Sequence, residues 1–432
     1  MTAIDNNAGG KPETVSISPL LNRLAYPATA GTRANADDIA SAFALIFENR
    51  LSDIQTAALL TLLHSTGQDR NADVIAKCSR RMREAACPIE KKSLQSAVKK
   101  RGQSHGNYNG GLCDIVGTGG DAHSTYNVST TASIIASAFL VTAKHGNRAQ
   151  TSFSGSADLL RSIAPIPPNI DAVTAENIAQ VYEKTNYSFL YAPNFHPAMA
   201  YASAVRRGLG LRTIFNLMGP LANPIEWGIE ARVVGVAYQA LGPVFVDALK
   251  QAGSKKALVV CGEEDMDEIS CAGPTNCWRI TSRPNPDYKS SEDGDDESSE
   301  DEENPRTIVE IDTFQLHPRD FGLPTHPLTE VHGRKMPEEN AQKLMTILRN
   351  ELPRDSPLLE FVLMNVAALL VTSGICESDV SNMGPGDDGK VITERGPGGG
   401  RWKEGLRRAR WAIESGKALE RLEEFIEVTN KL

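Results

Sequence analysis

From residue 37 to about residue 86 the apolar side chains recur at helical spacing. Three amphipathic helices are predicted there, in "ADDIASAFALIFENR", "LSDIQTAALLTLLHSTG" and "NADVIAKCSRRMREAA", each with one apolar stripe to bury. In the second, Ser52 and Gln55 have the spacing of a capping box, and Gly67 follows as a stop. The pattern predicts a small all-helical unit without obvious chemistry, suited to packing and to subunit association. Residues 1–36 form a polar, Gly- and Pro-bearing extension, loose apart from "PLLNRLA".

After a polar connector, "KKRGQSHGNYNGG", the rhythm changes. Short apolar runs ("LCDIV", "LVTAK", "YSFLYA", "ARVVGVAY", "KKALVVCG") alternate with helical segments ("TTASIIASAFL", "GSADLLRSI", "PVFVDALKQAG"). Such alternation predicts an α/β domain. The chain ends on helices, "PLLEFVLMNVAALLVTSG" and "RWKEGLRRARWAIESGKALERLEEFIEV". Between them "NMGPGDDGKVITERGPGGG" is too rich in glycine for regular structure. The fold class is therefore α/β, with a helical domain at 37–109 and a larger α/β domain at 110–432. A helix at 194–212 is expected to pack with the first.

A length of 432 residues accommodates two such domains. No run of about 18 apolar residues occurs, and the first twenty residues lack a secretory pattern and any arginine. A cytoplasmic protein is the expectation. Seven scattered cysteines, an odd number, suit reduced thiols. Cys261, Cys271 and Cys277 approach a metal cluster most nearly, but without a CxxC pair they read as buried strand cysteines.

The formal charge of −9 has a local source: residues 291–303, "SEDGDDESSEDEE", hold nine acids and no base. The rest balances 45 basic against 45 acidic residues, so no global basic field recruits nucleic acid. With "SRPNPDYKSS" before it, the tract reads as a disordered acidic insertion at about 283–306. Ser290, Ser291, Ser298 and Ser299 are its phosphorylation candidates.

The chemistry is carried by loops. In "DIVGTGGDAHSTYNVST", residues 114–130, a strand passes through glycines into a helix starting near Ser129 or Thr130. Backbone N–H groups there can face an anion, with the helix dipole favouring it; an ordinary tight turn is the alternative. "KHGNR", 144–148, places Lys144 and Arg148 at the mouth of the next strand, and "SGSADLL" offers a small-residue helix start. Strand C-termini of an α/β sheet face one crevice. In "DMDEIS" the adjacent Asp267 and Glu268 can hold magnesium, or form a solvated acidic turn. In "FHPAMAYASAVRRGLGLRTIFNLMGPLANP" Arg206 or Arg207 could clamp a carboxylate, while His196 reads as structural.

Taken together, GTGGD, the T-x-N-x-S-T run, KHGNR, SGSAD, "RTIFNLMGPLANP" and DEIS resemble anthranilate phosphoribosyltransferases, in the same order over about residues 37–432. The resemblance implies a fold like that of class II nucleoside phosphorylases and a homodimer formed through the helical part. It implies transfer of phosphoribose from phosphoribosyl pyrophosphate (PRPP) to the amine of anthranilate, a step of tryptophan biosynthesis. PRPP would be bound by Gly117, Gly120, Asp121, Thr125, Asn127, Val128, Ser129, Thr130, Lys144, Asn147, Arg148 and Ser156. Anthranilate would meet Gly117, His145, Asn147, Arg206 and Pro220. Ser129, Asp267 and Glu268 would organise two magnesium ions. An aromatic amine is neutral at pH 7, so no strong base is demanded and no single catalytic residue is assigned. The N-terminal extension, the acidic insertion and the Gly-rich stretch near 384–400 depart from the pattern. The competing readings are a pyrimidine nucleoside phosphorylase and a non-enzymatic nucleic-acid-binding relative.

Overall fold

The computed structural model describes residues 12–26, 34–123, 125–149, 154–286, 307–333 and 336–432. Helices α1 (Ser18–Ala25), α2 (Ala36–Phe47), α3 (Asp53–Ser65), α4 (Ala72–Glu84) and α5 (Lys91–Arg101) precede strand β1 (Leu112–Gly117). Next come α6 (Val128–Ala136), β2 (Val141–Gly146), α7 (Ser156–Arg161), α8 (Ile178–Tyr182), β3 (Tyr187–Tyr191) and α9 (Ala192–Phe195). Then follow α10 (Ala200–Leu209), α11 (Ile214–Met218), β4 (Ile229–Gly235), α12 (Leu241–Gln251) and β5 (Ala257–Gly262). Strands β6 (Thr275–Pro284) and β7 (Thr307–Leu316) lead to α13 (Pro337–Leu348), α14 (Pro357–Ser373), α15 (Trp402–Glu414) and α16 (Lys417–Thr429).

The chain divides into two compact units. One holds the residues up to Cys87 together with His196–Met218. Its helices start where short polar side chains meet exposed N–H groups. Asn35 Oδ1 accepts the Asp38 N–H at 2.8 Å, Ser52 Oγ the Gln55 N–H at 3.3 Å, and Asn71 Oδ1 the Asp73 N–H at 2.9 Å. The capping box at Ser52 is only half formed. Gln55 turns its side chain to the segment ahead of α1, where Oε1 accepts the Ile17 N–H at 2.9 Å. Gly67 ends the α3 region at φ 74°. The unit closes on aromatics, with Phe43 lying 5.3 Å from Phe47 and 4.9 Å from Phe215.

The second unit contains Pro88–Phe195 and Gly219–Leu432. Helix α5 opens it, capped by Glu90 and burying Leu94, Ala97 and Val98. Its sparse apolar content hid it in the sequence. Seven strands form one sheet in the order β3-β2-β1-β4-β5-β6-β7. The first five are parallel, and β6 and β7 run antiparallel. β5 is buried along its whole length, as a parallel strand covered on both faces should be. The sequence pattern did not reveal β6 and β7, because most of their positions are half-exposed and polar. The acidic tract and its candidate phosphoserines lie between these strands, outside the described residues. Cys261 and Cys277 are buried on β5 and β6, and Cys271 is buried in the loop between them.

Helix α14, apolar nearly all round, packs on β4, α6 and α15. Among the described residues no helix is long and apolar enough to cross a membrane. The Gly-rich stretch is irregular, as its composition requires, yet it is pinned. Trp402 Nε1 donates to the Pro397 carbonyl at 2.9 Å and Trp411 Nε1 to that of Pro385 at 3.1 Å. Beneath it Glu404, wholly buried, accepts from Ile392 N–H at 3.0 Å, from two atoms of Arg407 at 2.8 Å and from Arg408 Nε at 2.8 Å. Removing the charge of such a residue strands its partners. Glu404→Gln is therefore expected to lower the unfolding free energy by about 3–5 kcal/mol, measured by urea denaturation.

Candidate active site

Sheet order locates the crevice. The chain moves outward from β1 through β2 to β3, then returns to lay β4 on the opposite side of β1. The loops leaving β1 and β4 therefore part, opening a cleft at their C-terminal ends. Gly117 and Gly235 are paired across the two strands at that point. A Cβ on Gly117 would collide with the Asp267 carboxylate, and one on Gly235 with the Asp267 backbone oxygen. Two glycines thus make room for one aspartate. Beyond them Gly119 and Gly120 take φ 67° and 81°, a left-handed backbone that glycine adopts without strain. The turn is tied back by Thr118 N–H to the Gly235 carbonyl at 2.9 Å and Ala237 N–H to Thr118 Oγ1 at 3.1 Å.

Asp267 Oδ2 accepts the Gly119 N–H at 2.6 Å. Burial, followed by the charge of Asp121, pushes the Asp267 carboxyl up to about 7. The carboxyl of Asp121 lies within hydrogen-bonding reach of it. Glu268 is raised too, first by burial and then by Asp267 and Asp121, while a hydrogen bond with Thr125 works the other way. Asp121 Oδ2 and Glu268 Oε2 are enclosed and find no hydrogen-bond partner among the described residues. Three carboxyls packed this way require a proton or a cation. An oxygen-only donor set with Ser129 nearby in sequence, half-buried in the first turn of α6, fits magnesium. No group of three or more His, Cys, Asp or Glu among the described residues forms a metal cage by itself. The remaining ligands must come from a bound anion and water, the usual arrangement for magnesium with phosphates.

The loops after β1 and β2 are pinned together. Asn127, at the N-cap of α6, gives its side chain to the Ser154 carbonyl at 2.8 Å, and Thr130 Oγ1 donates to Ser156 Oγ at 2.9 Å. Asp158 Oδ2 accepts the N–H groups of Ala149 and Gly155 at 2.8 and 3.0 Å, folding the KHGNR loop onto α7. Asn147 and Arg148 are exposed on that loop, whereas Val128 and His145 are buried.

Lys144 departs from expectation. It does not stand at a strand mouth but is the fourth residue of β2, 2% exposed. Its Nζ donates to the His145 carbonyl at 3.5 Å. Burial lowers its pKa while the charges of Asp114 and Asp267 sustain it. The lysine therefore acts on the acids through its charge, from within the sheet. Asp114 is itself raised by burial and accepts from Asn223 Nδ2 at 3.1 Å, which also reaches the Ala143 carbonyl at 3.0 Å.

Two expected acceptor residues lie elsewhere in the chain. Pro220 is buried in a turn after α11, its carbonyl 3.4 Å from Arg232 Nη1. Arg206 belongs to the helical unit, half-buried with its guanidinium 4.9 Å above the Phe215 ring. Burial lowers its pKa. His196 is buried at the start of a short turn, in keeping with a structural part. Sequence reasoning missed Gly235, Asp114 and Asn223. An aspartate inside the apolar run "LCDIV" was the available signal, because a buried acid demands partners.

Comparison with known proteins gives this geometry a family. Residues 109–419 match the model "Glycosyl transferase family, a/b domain", and residues 26–86 match "Glycosyl transferase family, helical bundle domain". The anthranilate phosphoribosyltransferase of Schizosaccharomyces pombe is 36% identical over 393 residues, covering 90% of this chain and 92% of that protein. That of Saccharomyces cerevisiae is 32% identical, covering 88% and 87%. The solved Saccharomyces cerevisiae enzyme in complex with PRPP and Mg superposes with a TM-score of 0.74 at 27% identity, over 96% of this chain and 99% of that one. Its complex with 4-fluoroanthranilate gives 0.71 at 26%, over 96% and 98%. The order of the loops, the glycine-seated aspartate at the switch point and these full-length likenesses agree: the chain belongs to the anthranilate phosphoribosyltransferase family.

Proposed function

We propose that this chain transfers the phosphoribosyl group of PRPP to the amine of anthranilate, giving N-(5-phosphoribosyl)anthranilate and pyrophosphate. The observation that carries the reading is Asp267, seated against Gly117 and Gly235 beside enclosed oxygens of Asp121 and Glu268 that want a cation. The nucleoside phosphorylase and nucleic-acid readings find no support in the family likeness.

Several chain segments divide the work. The backbone after β1, with Gly117, Gly120, Asp121 and Thr125, faces the sugar diphosphate. Asn127, Val128, Ser129 and Thr130 present the first turn of α6, and Ser156 and the loop carrying Asn147 and Arg148 hold the other phosphate. Lys144 adds a buried positive charge behind the acids. Asp267, Glu268 and Ser129 would hold two magnesium ions, which supply neutralising charge to the departing pyrophosphate. The acceptor would lie between Gly117, His145, Asn147 and Pro220, its carboxylate paired with Arg206.

The aniline lone pair attacks the anomeric carbon, and the C–O bond to pyrophosphate breaks with its electrons on the leaving group. The proton is lost from nitrogen afterwards, so no strong base is required. The chain's own part is alignment and a preorganised electrostatic field. We also read the protein as cytoplasmic, none of the seven cysteines entering a disulfide among the described residues. A homodimer through the helical unit accounts for Ile54 and Tyr201, 82% and 48% exposed there.

Three variants test these assignments. Asp267→Asn should raise the magnesium concentration needed for half-maximal loss of anthranilate fluorescence. It should also stabilise the metal-free protein. A carboxyl raised from 3.8 to about 7 binds its proton more tightly when folded. Its cost is therefore absent well below 4, grows as pH rises through that window and is complete above 7. Thermal melts should show the variant's advantage widening from pH 5 to 8.

Arg206→Ala should weaken anthranilate use by about 2–3 kcal/mol in kcat/KM with little change in the KM for PRPP; equal losses for both substrates would misplace the acceptor. Ile54→Glu should halve the mass seen by light scattering, and an unchanged dimer would remove the helical unit's proposed role.

A further inference from the structure

At the other end of the sheet lies a second cavity, of about 420 Å³. Its walls come from the end of α5, the residues just before β2 and β3, the Gly-rich stretch and helices α15 and α16. These are the N-terminal edges of the parallel strands. With six residues in β1, at about 3.3 Å per residue, the cavity is about 20 Å from the Gly117 crevice.

Five cations line it: Lys100, Arg101, Arg408, Lys417 and Arg421. No carboxylate lines it. The carboxylates that face these cations are Glu404, Glu420 and Glu424. Glu404 is shared with Arg407, and Arg421 and Lys417 both draw on Glu420. The balance around the cavity is therefore positive. Lys100 and Arg101 also offset the carbonyls at the end of α5, but Arg408 and Arg421 have no such task.

Arg408 is 1% exposed and its Nη2 has no hydrogen-bond partner among the described residues; Nε of Arg421, 6% exposed, has none either. Buried guanidinium N–H groups left unmet are costly, and both side chains line the same space. The field is felt locally. Burial and then the charge of Arg408 lower the pKa of His105. Burial lowers that of Arg101, with Arg421 acting in the same direction and Glu424 opposing it. One wall is aromatic, Phe139 lying 5.5 Å from Trp411 with planes inclined at 45°. Helix α16 begins at Lys417, so its first-turn N–H groups add to the attraction for an anion.

We propose that this cavity is a binding site, separate from the substrate crevice, for an organic polyanion carrying a flat ring, of the chemical class of nucleoside phosphates. The phosphate oxygens meet the accessible cations of the lining, Lys100 and Lys417 first among them, within the field of the buried Arg408 and Arg421, and the ring lies along Phe139 and Trp411. The Gly-rich stretch acquires a task here, because Asn382 and Met383 close one side of the cavity.

The test uses ADP and the full-length protein in buffer containing EDTA. Titration should give saturable calorimetric heat together with a change in tryptophan fluorescence. Trp411→Phe should abolish the fluorescence change and retain the heat. Lys100→Gln with Lys417→Gln, both at solvent-accessible positions, should weaken binding about tenfold with an unchanged circular dichroism spectrum. Saturating PRPP should not displace the ADP. Absence of saturable heat, wild-type affinity in the double variant, or displacement by PRPP would each overturn the assignment.

Discussion

One packing constraint organises the C-terminal end of the parallel strands. Asp267 can occupy the switch point of the sheet only because β1 and β4 both end in glycine. Its oxygen then receives the Gly119 N–H, which fixes the left-handed turn through Gly119 and Gly120. The same seat forces its carboxyl against Asp121 and beside Glu268, where burial and repulsion raise the pKa of Asp267 and Glu268. Strand endings, turn conformation and the crowding of the carboxyls are thus one linked arrangement. The electrostatic strain is local, and a divalent cation is the kind of charge that would relieve it.

Much of the fold was legible because its apolar periods are long and unmixed. The stripes of α2, α3 and α4 and the solid apolar runs of β1, β2 and β5 announce themselves. Helix α5, with only three buried residues in eleven, and the polar pair β6 and β7 do not. Local chemistry was similarly uneven. Ser52 caps α3 as its sequence implies, but Gln55 is taken by Ile17, a partner 38 residues away that no short-range rule could name.

For the site, loop composition revealed where an anion could be met, since glycine and small polar residues state their backbone preferences openly. It did not reveal depth. Lys144 looked like a solvent-facing base and is a buried strand residue whose charge is sustained by Asp114 and Asp267. Gly235 carried no signal at all, for its importance lies in what approaches it from the loop after β5. Asn223 drew no site assignment in its segment and bridges β1 and β2. Such facts depend on strand order, which periodicity leaves undetermined.

The seat of Asp267 can be disturbed without replacing any acidic residue. In Gly117→Ala the added methyl meets chiefly the mobile end of the Asp267 side chain, so the sheet should survive. Calorimetric titration of PRPP into this variant, with and without magnesium, addresses the point directly. The account predicts a native spectrum and loss of most of the magnesium-dependent gain in PRPP affinity. A variant that binds PRPP with wild-type magnesium dependence would contradict it.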